Sequence, residues 1–176
     1  PPRSTLFPYT TLFRSDTPLE PWTVWFLALM DRLDSPRYLD VCRRLMMPER
    51  LMERVFGHRH KALKRLQHLR QALGHGQEIS NSQLYTLLHG MPVELLLYGL
   101  ARSGQEELRR LVSHYLTRLA GMKALVSGTE LQALGVPRGP AIRTLKERLL
   151  AARLDGLIAS RDEELELARQ LITEQL

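Results

Sequence analysis

The chain has 176 residues, of which 44% are hydrophobic and 25% charged, with a formal net charge of +6 and one cysteine. This balance is typical of a globular protein and excludes an intrinsically disordered one. The lone Cys42 excludes an internal disulfide and a cysteine-rich zinc site, which favours a reducing compartment, the cytoplasm. The longest unbroken apolar run, VWFLALM, is far too short to cross a membrane, so we expect no membrane partner.

The first fifteen residues, PPRSTLFPYTTLFRS, do not resemble part of a folded domain. Their alternation of apolar and hydroxyl residues would allow a short strand, but a lone strand cannot satisfy its backbone groups. On back-translation they resemble a common sequencing adapter. We therefore interpret residues 1–15 as a disordered, non-native assembly scar, with a genuine extended arm as the alternative. On this interpretation, the chain from Asp16 onward is the C-terminal part of a longer protein.

Apolar residues recur at helical spacing from the first tryptophan onward. The spacing of Trp22, Trp25, Phe26, Leu29 and Leu33 predicts a first helix near 19–34. Its aromatic residues Trp22, Trp25 and Phe26 are interpreted as core, or as a surface that packs against a missing upstream part. Ser35, as N-cap, and Pro36 predict the start of a second helix. A long helical segment near 48–73 is predicted to break at Gly57 and to end at Gly74.

The second half of the chain continues the helical pattern. Helix starts are predicted at Ser80 or Asn81 and at Pro92, followed by an amphipathic helix near 104–119. A short helix, a glycine turn and a longer helix that Gly156 ends come next. Ser160 and Glu163 then have the spacing of a capping box. The prediction is an all-α protein, with a helical-bundle body over residues 16–120 and a small helical tail over residues 121–176.

Basic residues are concentrated on one face of the helix predicted near residue 60. Lys61, Lys64, Arg65 and His68 fall at i, i+3, i+4 and i+7, opposite an inward stripe made of Ala62, Leu63, Leu66, Leu69 and Leu73. A row of positive charge can bind a phosphate backbone, with counterion release supplying most of the affinity. A solvated polar face is the alternative.

The run LQALGVPRGPAIRTL is similar to a helix-hairpin-helix. Gly135 would cap the first helix, Gly139 would allow a phosphate close to the backbone, and Pro140 would open the second helix. Arg138 and Arg143 could add charge-assisted contacts. A compact helical corner without a ligand is the alternative. The histidines are too scattered for a metal site, and no catalytic residues are predicted.

Two motifs within residues 84–162 carry a resemblance to a known family. They are a Gly-x-x-Leu-x-x-Leu-Gly-x-x-x-Gly-Pro pattern ending at Pro140, and an Arg-Leu-Asp-Gly run ending at Gly156. In this order and spacing they resemble the C-terminal region of bacterial tRNA nucleotidyltransferases. These are the CCA-adding and A-adding enzymes of the poly(A) polymerase-like group. The long form, with phosphoesterase-like DHH and CBS domains, is the most similar.

The resemblance implies a role in binding rather than in bond formation. The family polymerises on a domain with a Gly-Ser loop and an Asp-x-Asp pair that binds magnesium, and no Asp-x-Asp occurs here. Asp31 and Asp34, three residues apart, are interpreted as surface charges. This chain is therefore expected to be noncatalytic and without a cofactor, whereas its parent enzyme would use Mg²⁺ with CTP or ATP. The expected partners are tRNA, which Arg118 would also face, and the missing N-terminal polymerase domain.

The function inferred is that of a tRNA-binding fragment that positions the acceptor arm through phosphate contacts. The choice between addition of CCA and of the terminal A is left open. Two alternatives remain: a helical protein-interaction module that binds through the face around Trp22, and a DNA-binding helix-hairpin-helix protein.

Overall fold

The computed structural model describes residues 20–174, except for the side chains of residues 54, 55 and 174. Throughout this range the regular secondary structure is helical and no strand is present, which confirms the predicted all-α fold. Residues 1–15, interpreted as an assembly scar, lie outside the described residues.

Ten α-helices follow one another along the described chain, and two of them continue into a wider, π-helical turn. The first five are α1 (Pro21–Leu29), α2 (Ser35–Arg44), α3 (Glu49–Leu51, continued by the π-helical Met52–Phe56), α4 (Arg59–Gly74) and α5 (Asn81–Leu88). The others are α6 (Val93–Arg102), α7 (Glu106–His114, continued by the π-helical Tyr115–Leu119), α8 (Gly128–Ala133), α9 (Pro140–Leu154) and α10 (Arg161–Glu174).

The chain divides into two compact units. Within the described range, the first unit consists of residues 20–78 and 87–117, and the second of residues 79–86 and 118–174. The core of the first unit includes Leu27, Tyr38, Cys42, Phe56, Ala62, Leu95 and Tyr98. The core of the second unit includes Val126, Leu131, Val136, Leu145, Leu149 and Ala168. The second unit thus takes in residues 79–86, which fall in the middle of the predicted body.

Helix α1 is shorter than its apolar pattern predicted, and it presents a different face to the core. It ends at Leu29 rather than near residue 34. Trp22, Trp25 and Leu29 are 46%, 65% and 79% exposed. Of the two interpretations of the aromatic residues, burial in the core of this unit is therefore wrong for Trp22 and Trp25, whereas Phe26 packs against that core. Thr23 and Leu27 are the buried residues of the helix.

Side-chain caps fix several helix starts where the sequence places polar residues. Helix α2 is capped by Asp34, whose Oδ1 accepts a hydrogen bond from the Arg37 N–H at 3.0 Å, rather than by Ser35 as predicted. Asp34 is the residue in extended conformation before the helix, and Ser35 already lies inside it.

Two further caps are reciprocal. Ser160 Oγ accepts from the Glu163 N–H at 3.2 Å, and Glu163 Oε2 accepts from the Ser160 N–H at 3.3 Å, which confirms the predicted capping box of α10. Ser127 and Glu130 form a similar box at the start of α8 that was not predicted.

Helices α4 and α6 approach closely in the first unit because a glycine lies at their contact. A Cβ atom built on Gly99 would overlap Cδ1 of Leu66, a buried residue of α4. A larger side chain at position 99 would therefore displace the Leu66 side chain or the helix that carries it.

No single helix within residues 20–174 is long and apolar enough to cross a membrane. By length and composition alone, α5 and α6 meet that test only as a bent pair.

Candidate nucleic-acid interface

The basic residues predicted on α4 lie largely on its exposed side. Lys61, Lys64 and His68 are exposed, whereas Arg65 is half-buried. The Arg65 Nη1 donates a hydrogen bond to the Leu87 carbonyl at 3.3 Å, so this arginine is already used within the first unit. We call Lys61, Lys64 and His68 the α4 stripe.

The opposite side of α4 explains why the α4 stripe faces outward. Ala62, Leu66 and Leu69 are buried, and Leu63 and Leu73 are half-buried, as their helical spacing predicted. Because these apolar residues anchor one face of the helix, the basic residues one or two positions away from them face solvent.

Arg59, at the start of α4, belongs to the same basic segment but has a different role. It is only 8% exposed. Its guanidinium group lies 4.8 Å from the ring centroid of Tyr38, and it donates hydrogen bonds to the carbonyls of Asp31 at 3.0 Å and Leu33 at 3.2 Å. Arg59 thus binds the backbone that follows α1. These carbonyls lie beyond the end of α1 and have no partner within the helix, so the arginine satisfies them.

The two aspartates that the sequence analysis interpreted as surface charges have defined structural partners. Asp31 is half-buried and accepts a hydrogen bond from the Tyr98 hydroxyl, and Arg102 lies 3.4 Å from it. Asp34 caps α2 as described. Within residues 20–174, no group of three His, Cys, Asp or Glu side chains is placed so that it could hold a metal ion. The described residues therefore do not fit a magnesium site of their own.

The second predicted site lies where α8 leads into α9. Gly135 follows α8 with a φ of +93°, and its N–H donates to the Gln132 carbonyl at 2.9 Å. The Val136 N–H donates to the Leu131 carbonyl at 3.1 Å, and both of these side chains are buried. This pattern is a Schellman cap, so Gly135 ends α8 as predicted.

Gly139 and its neighbours begin α9. Gly139 has a φ of +122° and precedes Pro140, the first residue of the helix. A Cβ at Gly139 would meet no atom within 4 Å, so the glycine is required by its backbone conformation and the surrounding space is open. The following N–H groups belong to the first turn of a helix, where the dipole favours an anion.

The arginines beside this turn are exposed but partly engaged. Arg138 Nε donates to Gln132 Oε1 at 2.9 Å, and within residues 20–174 its charge has no counterion. Arg143 pairs with Glu147 one helical turn further along, with 3.0 Å between Nε and Oε1. Arg143 is therefore the weaker candidate for a phosphate contact. Arg118, in the π-helical turn after α7, is exposed.

The predicted binding residues thus separate into two groups. Lys61, Lys64, Arg65 and His68 lie in the first unit, whereas Arg118, Gly135, Arg138, Gly139 and Arg143 lie in the second. Each unit therefore has its own candidate surface.

Glu130, an acidic residue near the second surface, is already engaged in contacts within the fold. Glu130 forms the capping box with Ser127 and also pairs with Arg161 of α10. The hydrogen bonds from Ser127, and then from Arg161, lower the pKa of Glu130 from 4.5 to about 2. The carboxylate therefore stays ionised while its charge is balanced locally, and it does not cancel the cations of the turn.

Two glutamates that the sequence does not single out, Glu94 and Glu164, are buried. Glu164 belongs to the acidic first turn of α10, but it is fully buried. Its carboxylate oxygens accept hydrogen bonds from the Leu125 N–H at 3.0 Å and the Val126 N–H at 3.1 Å, and Arg153 lies 3.8 Å away. The segment before α8 is thereby attached to α10, which helps to hold the second surface in place.

Comparison with known proteins finds the A-adding tRNA nucleotidyltransferase of Geobacter sulfurreducens, which is 35% identical over 153 residues. The match covers 87% of this chain but only 17% of that enzyme. No family model matches the sequence, and no solved structure matches it. The chain is therefore related in sequence to one region of a tRNA nucleotidyltransferase and spans about a sixth of that enzyme's length.

Proposed function

We propose that this chain is the C-terminal, tRNA-binding part of a tRNA nucleotidyltransferase of the long form. The observation that carries the proposal is the 35% identity to the Geobacter enzyme over most of this chain. Because that relative is named for adding A, addition of the terminal A is favoured over addition of CCA. The magnesium ions, the CTP or ATP substrate and the polymerase domain would belong to the rest of the parent protein in the cytoplasm.

The contribution of this chain to the reaction would be positioning. The exposed Lys61 and Lys64 and the open turn at Gly139 present positive charge and free N–H groups without side chains arranged to identify a base. Contacts of this kind fix the register of an RNA without selecting its sequence, which suits an enzyme that accepts many tRNAs. By holding the acceptor and TψC arms, the chain would keep the tRNA 3′ end in the polymerase site. The translational and rotational entropy of the tRNA would then be lost on binding and not in the chemical step.

Salt dependence tests this proposal directly. We expect the 176-residue chain to bind tRNA, measured by fluorescence anisotropy, with a log–log slope against salt of about −3 if it contacts roughly four phosphates. Lys61→Ala combined with Lys64→Ala should make the slope shallower by about 1.6. Arg65 is left unchanged in this variant because its loss would also remove the hydrogen bond to Leu87.

A matched control removes two cations elsewhere in the same unit. Arg37 and Arg44 are exposed on α2, and each pairs with an aspartate, at 3.9 Å and 3.0 Å respectively. Replacing both with alanine changes the net charge equally and should leave the slope nearly unchanged. Equal effects of the two double variants would remove the α4 stripe from the proposal, and binding that is insensitive to salt would contradict the proposal as a whole.

The exposed face of α1 favours a second candidate function, that of a protein-interaction module. Trp22 and Trp25 are the only tryptophans in the chain, and both are exposed. Fluorescence excited in the indole band therefore reports on this face alone. A blue shift on adding a protein partner, with no shift on adding tRNA, would support a protein-binding face distinct from the RNA surface. A blue shift caused by tRNA would contradict it.

A further inference from the structure

A cleft of about 750 Å³ lies along α9 in the second unit, and its lining combines two kinds of side chain. We call it the α9 cleft. Part of the lining is apolar: Met122, Ile142 and Leu150 contribute to it, together with the ring of Tyr85, and all four are half-buried. We call these four partly exposed side chains the apolar floor.

The lining of the α9 cleft is also strongly cationic. It includes Lys123, Arg138, Arg143 and Lys146, against a single acid, Glu147. Glu147 is paired with Arg143, whereas Arg138 donates to the neutral amide of Gln132. Among the described residues, neither Lys123 nor Lys146 has an ion-pair partner. Three positive charges therefore line the cleft without a compensating anion in the part of the chain that the structure describes.

This combination restricts the ligand chemistry. A phosphate group alone would need the cations but not the apolar floor, because a phosphate gains nothing from apolar contact. An apolar peptide side chain would need the floor but would leave three charges unused. A nucleotide fits both parts, since its base has apolar faces that pack on aliphatic and aromatic side chains, and its phosphates bind lysine and arginine.

The helical spacing of α9 explains how one element supplies both parts. Ile142, Lys146 and Leu150 lie four residues apart on one face of the helix. Lys146 is half-buried, so part of its aliphatic chain is covered while its amine can remain in solvent. The arrangement thus places a cation between two members of the apolar floor.

We infer that the α9 cleft binds a single unstacked nucleotide of an RNA, with its base against the apolar floor and its neighbouring phosphates against Lys123, Arg138 and Lys146. This inference rests on the proposed function, because only the similarity to a tRNA nucleotidyltransferase favours an RNA over a free nucleotide. It adds base contact to a surface otherwise expected to bind phosphate alone.

The experiment measures the affinity of the 176-residue chain for three RNA probes and for AMP. The RNA probes are a tRNA, a short single-stranded oligonucleotide, and the same oligonucleotide with one central abasic ribose. Loss of one stacked base should weaken binding of the oligonucleotide about tenfold or more. Lys123→Ala combined with Lys146→Ala should make its salt slope shallower by about 1.4. The Arg37→Ala, Arg44→Ala variant is the matched control, and thermal unfolding by circular dichroism verifies that both variants fold.

The outcomes separate this inference from the proposed function. Equal binding of the intact and abasic oligonucleotides would overturn the base site, while salt-sensitive tRNA binding would leave the proposed function standing. If the abasic ribose weakens binding of the oligonucleotide but the chain does not bind tRNA, the result would support a nucleotide cleft and contradict the proposed function. Binding of AMP as tight as that of the oligonucleotide would overturn RNA as the source of the nucleotide.

Discussion

The two compact units each attach an irregular segment to a helix through a buried charge, and the charges have opposite signs. In the first unit, Arg59 donates to backbone carbonyls after α1. In the second unit, Glu164 accepts from the backbone N–H groups of Leu125 and Val126 before α8. The sign follows the backbone groups that need a partner: carbonyls at the end of a helix require a donor, and free N–H groups require an acceptor.

The comparison also distinguishes structural charge from charge that is available for binding. Arg59 is a member of a basic segment but is committed to the fold, whereas Lys61 and Lys64 nearby are exposed. Glu164 is likewise unavailable to repel an anion at the surface. Counting charges along the sequence therefore overestimates the basic surface of the first unit and the acidic surface of the second.

The largest expected effect comes from removing the buried acid of the second unit. Glu164→Ala leaves two backbone N–H groups and Arg153 without their partner in a buried site, so we expect a loss of about 3 to 5 kcal/mol in the free energy of unfolding. Glu164→Gln, which keeps one acceptor oxygen, should lose less. Urea unfolding gives the stability, and hydrogen exchange at Leu125 and Val126 shows whether the loss is local to the second unit.

A neighbouring glutamate provides the control for that variant. Glu166 is exposed and pairs with Arg169 on the surface, so Glu166→Ala should change stability by at most about 1 kcal/mol. An effect of Glu164→Ala no larger than this would contradict the structural role assigned to the buried carboxylate.

Replacing the buried cation of the first unit should have a somewhat smaller effect. Arg59→Met removes the hydrogen bonds to Asp31 and Leu33, and we expect a loss of about 2 to 3 kcal/mol. The loss is smaller than for Glu164 because these two contacts are only partly buried, so the freed carbonyls can bind water, and the buried contacts to the Met30 carbonyl and the Tyr98 hydroxyl are long, at 3.4 Å. Arg59→Lys should fall in between, since it keeps the charge without the fork of donors. Arg50 is exposed and serves as the control. If Arg59→Met lowers the free energy of unfolding no more than Arg50→Met does, the structural role assigned to the buried cation of the first unit is contradicted.

These two residues also show what the sequence could and could not predict. Helix positions followed from local signals, such as Pro92 before α6 and the Ser160–Glu163 capping box, because the interacting residues are close in sequence. The burial of Arg59 and Glu164 depends on backbone groups 28 and 39 residues away, so no local pattern reveals it. Neither residue is therefore among the candidates that the sequence indicates.

The candidate binding residues could be predicted only in part, again because some of their contacts are local in sequence and others are not. The exposure of Lys61, Lys64 and His68 follows from helical periodicity, which is local. The half-burial of Arg65 depends on Leu87, a residue 22 positions away, and the α9 cleft brings Tyr85 and Lys123 to the same helix. A cleft formed by separate segments leaves no periodic signal in the sequence.

One glycine substitution in each unit should cause a loss of stability of intermediate size. Gly99→Ala in the first unit would place a methyl group against Leu66 in a packed core, with an expected loss of about 1 to 3 kcal/mol. Gly139→Ala in the second unit meets open space and loses about 1 to 2 kcal/mol through backbone conformation alone.

A double variant distinguishes the two causes. If Gly99→Ala acts by steric overlap, adding Leu66→Ala should give a total loss smaller than the sum of the single effects. Adding the same Leu66→Ala change to Gly139→Ala should be additive, because the two residues belong to different units. Additivity in both pairs, measured by urea unfolding, would contradict the close helix contact in the first unit.

The smallest expected effect is a pH dependence of the second unit, which has two capping boxes that use glutamate. Hydrogen bonding from Ser127 lowers the pKa of Glu130 to about 2, and the N–H groups of Ala159 and Ser160 lower the pKa of Glu163. A lowered pKa means that the folded state favours the ionised form. The stabilisation is therefore complete above the ordinary value of 4.5 and is lost as the pH falls towards about 2.

Variants of the α8 box assign this dependence to its causes. Glu130→Gln should remove its share of the dependence, since the amide does not ionise. Ser127→Ala and Arg161→Met should each reduce it, because hydrogen bonds from both residues lower the pKa of Glu130. Thermal unfolding midpoints across this pH range measure the effect. A dependence that is unchanged in all three variants would contradict Glu130 as a source of acid sensitivity in the second unit.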